Sequence, residues 1–76
     1  MTERISINPN VCHGKPVIKG TRVLVSNILA SLAAGETVQD ILGNYPNINE
    51  KDIQAALEFS AQVTSFETHP YDVTLK

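Results

Sequence analysis

The sequence predicts a mainly α fold: a short N-terminal β-arm or hairpin followed by a three-helix bundle. Three observations carry this. Glycine and proline crowd residues 1–25, at Pro9, Gly14, Pro16 and Gly20. From Ser26 onward the apolar period becomes helical. Two good N-cap residues, Thr37 and Asn49, each stand three positions before an aspartate, the signature of a capped helix start. At 76 residues the chain is bounded to one domain, residues 1–66. The β-arm takes 1–25, the helices 26–66, and a C-terminal tail 67–76. A chain of this size buries only about 60% of its unfolded surface, so its core is thin. Doubly wound sheets, barrels and two-domain clefts are excluded.

In the arm, Ile5 and Ile7 alternate around Ser6 and predict a short strand. Val17-Ile18 and Val23-Leu24-Val25 are β-branched-rich pieces around Lys19-Gly20-Thr21-Arg22, which reads as a hairpin turn on Gly20. Helix 1 is expected over 26–34, with Ser26 as N-cap, Gly35 just past its end, and a stripe of Ile28, Leu29, Leu32 and Ala33. Helix 2 starts at Thr37 with Asp40 at N3, buries Val38, Ile41, Leu42 and Tyr45, and stops near Asn44 because Pro46 disfavours helical Tyr45. Helix 3 starts at Asn49 with Asp52 at N3. Ile48 and Ile53 have the spacing of a hydrophobic staple. Its face is Ile53, Ala56, Leu57, Ser60 and Val63, and it runs to Thr64 or Phe66. The tail contains Pro70 and has no period.

Composition narrows the function classes. The chain is 42% hydrophobic and 18% charged, too apolar for disorder, and no segment approaches a membrane span. The single cysteine, Cys12, forms no internal disulfide, and no charged n-region precedes an apolar run. These features predict a cytoplasmic protein that needs no membrane. The net charge of −2 conceals a split. Residues 1–25 carry Arg4, Lys15, Lys19 and Arg22 against Glu3, a net +3. Residues 26–76 carry Lys51 and Lys76 against Glu36, Asp40, Glu50, Asp52, Glu58, Glu67 and Asp72, a net −5. The split has two readings: a basic arm that contacts phosphates, or solvated charges that guard a strand edge.

The residues Pro9, Cys12-His13-Gly14-Lys15-Pro16-Val17-Ile18-Lys19-Gly20-Thr21-Arg22-Val23, then Leu32, Gly35, Tyr45-Pro46, Asp52-Ile53 and Ala55-Ala56-Leu57, carry a family resemblance. Over residues 5–63 the chain resembles the small bacterial and archaeal family catalogued as domain of unknown function 433. The stretch GKPVIKGTRV is the most specific part. The resemblance implies a homeodomain-like helix-turn-helix fold preceded by β-strands. It also implies the antitoxin half of a toxin–antitoxin pair, beside a PIN-like ribonuclease toxin. It brings no catalytic or binding residues with it, so site candidates rest on chemistry.

Gly14 to Arg22 is not a phosphate loop. Five residues separate its glycines, Lys19 precedes the second, and strand rather than helix follows. Helix 2, Asn44 to Asn49 and helix 3 resemble a helix-turn-helix unit. The first turn of helix 3 offers Glu50, Lys51, Asp52 and Gln54, and two acids there make a poor base reader. The DNA-binding candidates are therefore Arg4, Lys15, Lys19, Thr21, Arg22, Lys51 and Gln54. One cysteine and two histidines, His13 and His69, are too few for a structural zinc site. No cofactor and no catalytic set is expected. Phe59, Phe66 and Tyr71 are the partner-binding candidates, with covering the core or closing a homodimer as the alternative. The function this predicts is a non-enzymatic, homodimeric antitoxin-type module that blocks a PIN-like ribonuclease and contacts operator DNA. A DNA-binding regulator without a toxin and a purely dimerising module are the alternatives.

Overall fold

The computed structural model describes residues 3–68, with side chains through Thr64. Two short strands, β1 (Ile5–Ser6) and β2 (Val17–Ile18), precede α1 (Val25–Ala33), α2 (Val38–Asn44) and α3 (Glu50–Thr68). The predicted class is the observed one: three helices behind a small antiparallel hairpin.

The hairpin differs in its pairing. Val17-Ile18 was expected to pair with 23–25, yet its ladder is with β1, in the register Ile5 to Ile18 and Ser6 to Val17. The expected partner is present as a single bridge, Val17 to Leu24, with Ile18 N–H donating to the Val23 carbonyl at 3.0 Å. β2 is thus held on both sides. Two residues of strand have too little area to stand alone, so the second neighbour and the helices complete them. The register puts Ile5 and Ile18 on the core face and Ser6 and Val17 on the other. Gly20, at φ +81°, closes the turn. Thr21 locks it: its hydroxyl donates to the Ile18 carbonyl at 2.7 Å and accepts from Val23 N–H at 3.0 Å.

Cys12, His13 and Gly14 form a consecutive left-handed turn, with φ of 50°, 59° and 79°. Two of the three carry a Cβ, for which this region costs roughly 1–2 kcal/mol per residue. Gly14 N–H to the Val11 carbonyl at 3.0 Å and Lys15 N–H to the Cys12 carbonyl at 3.1 Å hold it closed. The half-buried Cys12 thiol lies 3.8 Å from the Arg22 carbonyl, linking this loop to the hairpin turn.

The helix starts follow their capping residues, with one exception. Ser26 does not cap α1: Leu24 stands at the N-cap with no side-chain bond, because the bridge at Leu24 carries the chain straight into the helix. The end is as expected one residue earlier. Gly35, at φ +93°, follows Ala34, with Glu36 N–H donating to the Ser31 carbonyl and Gly35 N–H to that of Leu32. At α2, Thr37 and Asp40 form the reciprocal box, and the helix stops at Asn44. At α3, Asn49 and Asp52 do the same. α3 runs on to Thr68, past the expected end at Thr64 or Phe66 and two residues into the expected tail. Residues 69–76 lie outside the described residues.

The core is aliphatic and small: Ile5, Ile18, Val23, Val25, Ile28, Ile41, Ile48, Ile53, Ala55 and Ala56. The staple pair Ile48 and Ile53 are both inside it. Two expected core positions of α3 are not: Leu57 is 47% exposed and Val63 43%. Ala33 of α1 is exposed as well. Phe59, expected beside the α3 stripe, packs against the core instead, with Leu29, Leu32, Val38, Leu42 and Tyr45. The face that points inward runs through Asp52, Ile53, Ala56 and Phe59, turned about 45° around the helix from the predicted one.

Candidate functional surface

The arm does not hang free of the bundle. Arg4 Nη1 donates to Asp52 Oδ1 at 2.9 Å, across 48 residues of sequence. The other oxygen of Asp52 accepts the Asn49 N–H at 3.0 Å, so one carboxylate caps α3 and anchors the arm. Lys19 N–H donates to the Arg4 carbonyl at 2.7 Å and brings the hairpin turn to the same place. Asp52 is buried, whereas Arg4 keeps much of its side chain in solvent. The ion pair therefore sits at the edge of the domain with its acid inward and its base outward.

Around Arg4 lie two adjoining depressions. One, about 380 Å³, is lined by Glu3, Arg4, Lys19 and Asp52. The other, about 180 Å³, is lined by Arg4, Lys51, Gln54, Ala55 and Glu58. Four of the seven DNA-binding candidates are thus brought together: Arg4, Lys19, Lys51 and Gln54. The surface they form carries three cations against three carboxylates, Glu3, Asp52 and Glu58. Folding the arm onto α3 cancels locally the charge split that the sequence displays.

Thr21 and Arg22 belong elsewhere. They line a groove of about 620 Å³ with Ser6, Asn8, Val11, Val17, Gly20 and Asn47. Buried Val17 is its apolar floor. The Thr21 hydroxyl already bonds the turn on both its donor and acceptor sides, so its role is to shape the hairpin. Lys15 is exposed just after the left-handed turn and lines none of these three depressions.

Of the partner-binding candidates, Phe59 is half-buried against the core. The Phe66 side chain and Tyr71 lie outside the described residues. Sequence reasoning missed the exposed apolar positions Leu57 and Val63, because it counted both as core. It also missed the Arg4–Asp52 pair, which no local spacing encodes. Among the described residues, no three His, Cys, Asp or Glu side chains gather where they could hold a metal ion. Among the described residues, no helix is long and apolar enough to cross a membrane. The Thr37 backbone N–H, then the Thr37 hydroxyl, hold the Asp40 carboxyl below the usual carboxylate range.

A β-hairpin clasped to the capped start of the last of three helices defines a small family architecture. The sequence model of the family described as Protein of unknown function (DUF433) matches residues 5–60, and the chain belongs to that family. A crystal structure of a DUF433 member protein from Anabaena variabilis superposes with a TM-score of 0.74 at 34% identity, over 78% of this chain and 58% of that one. The chain is also 37% identical over 54 residues to the uncharacterized protein y4eO of Sinorhizobium fredii. That match takes in 71% of this chain but 24% of the relative, so the chain spans about a quarter of the relative's length.

Proposed function

We propose that this protein is a non-enzymatic, cytoplasmic binding module of the antitoxin type. It acts as a homodimer that blocks a PIN-like ribonuclease and contacts operator DNA with its arm. The observation that carries the protein-binding part is the reach of α3. The helix has 19 residues, about 28 Å, against nine for α1 and seven for α2. Its inward stripe passes Phe59 and Ser60 and continues to Val63, which is 43% exposed. A helix with apolar side chains beyond its own core is suited to lie in a groove of another protein. The acidic balance of residues 26–76, a net −5, complements the positive path along which a nuclease holds its substrate. The ribonuclease class comes from the family resemblance.

Co-expression with the product of the adjacent gene tests this. A nuclease-like neighbour should co-purify and lose its RNA cleavage, and Val63→Glu should weaken capture about tenfold or more. A neighbour unlike a nuclease, with nothing captured, sinks the reading. The gathering of Arg4, Lys19, Lys51 and Gln54 at the start of α3 favours one other reading, a DNA-binding regulator without a toxin. The three interleaved carboxylates weigh against it. It requires salt-dependent duplex binding that Lys19→Glu with Arg22→Glu abolishes.

A further inference from the structure

The outer face of α3 carries a pattern that the core does not use. Glu50, Gln54, Leu57, Ala61 and Thr64 are all exposed and recur at intervals of four and three, the spacing of a coiled-coil seam. Leu57 stands at its centre, 47% exposed. Ala61 is small enough for a second helix to approach closely. The Thr64 hydroxyl donates to the Ser60 carbonyl at 2.6 Å, which satisfies its donor within the helix. Lys51 and Glu58 flank this seam on one edge, seven residues or about 10 Å apart, too far to pair with each other. Among the described residues neither has an ion-pair partner.

We propose that this face is the contact between two copies of the chain, packed with their α3 helices antiparallel about a two-fold axis. A two-fold contact is self-complementary: whatever residue i meets, that residue meets i in return. Two registers place Leu57 on the seam of the second copy. With Leu57 over Gln54 of the second copy, Lys51 meets Glu58 of the second copy, and the symmetry makes that ion pair twice. With Leu57 over Ala61 of the second copy, Glu58 meets Glu58 at the axis. Like charges facing each other oppose the second register, so the charges select the first. Gln54 then lies in the seam as the polar residue that marks the register. Val63 lies about 120° around the helix from Leu57 and stays open to another protein.

The inference rests on the homodimer reading above, and one experiment separates the two. Sedimentation equilibrium on the full chain, with circular dichroism melts to confirm folding, follows wild type and four variants. Wild type should dimerise in the micromolar range. Lys51→Glu and Glu58→Lys should each weaken dimerisation about tenfold, since each turns two attractions into repulsions. The combined swap should restore it to within about threefold. Leu57→Glu should leave a folded monomer. A wild type that stays monomeric at high concentration overturns both the dimer and its geometry. A dimer indifferent to all four variants, or single losses that the swap does not repair, overturns the α3 contact alone.

Discussion

At Thr37 and at Asn49 the chain builds the same helix start and puts it to two uses. In both, the N-cap N–H donates to the N3 aspartate at 3.0 Å and the aspartate N–H donates back to the cap side chain at 3.1 Å. The Thr37–Asp40 box is exposed and serves α2 alone. In the Asn49–Asp52 box the aspartate is buried, and its second oxygen holds Arg4 from the far end of the sequence. The same reciprocal pairing, on a threonine hydroxyl in one box and an asparagine amide oxygen in the other, thus makes a helix end in one place and a tertiary clasp in the other. What separates them is burial and one distant cation.

The comparison is broken most sharply at Asp52. Asp52→Ala removes a cap bond and the arm's anchor together, and should cost about 2–3 kcal/mol in urea unfolding. Arg4→Ala leaves a buried carboxylate with only its cap bond. It should cost less, about 1–2 kcal/mol, because the Arg4 side chain is 44% exposed and water already screens its charge. Combining the two should cost less than their sum, and strict additivity would mean that the clasp contributes nothing. Thr37→Ala in the exposed box should cost about 1 kcal/mol. If Thr37→Ala proves as damaging as Asp52→Ala, burial does not distinguish the two boxes.

The smallest effect is one of pH. The Asp40 carboxyl titrates below its ordinary value, held down by Thr37. Its contribution to stability is therefore complete above the ordinary carboxylate range and fades as pH falls through the lowered value. Asp40→Asn should melt below wild type at neutral pH, with the gap narrowing on acidification. A gap independent of pH would show that the charge of Asp40 contributes nothing to the cap.

Both boxes were readable in the sequence because a cap is a local contract between residues three apart. The staple of Ile48 and Ile53 and the stop before Pro46 were readable for the same reason. The clasp was not, since nothing near Arg4 or Asp52 names the other. The α3 face was misread for a different reason. Periodicity marks a stripe but fixes neither its rotation to within about 45° nor the point where the neighbouring elements end. Hence Phe59 turned inward, Leu57 outward, and Val63 kept an inward direction but stayed 43% exposed. The candidate surface suffered from both effects. Its cations were visible as a list, but their pairing with Glu3, Asp52 and Glu58 depended on where the arm came to rest.

The turn at Cys12-His13-Gly14 has a consequence for handedness. Its backbone torsions are those that the mirror-image amino acids prefer. A synthetic chain carrying D-alanine at position 13, where the side chain is exposed, would fit this turn with less strain than the natural L-histidine. At this one loop, the fold asks for the opposite chirality from the one the ribosome supplies.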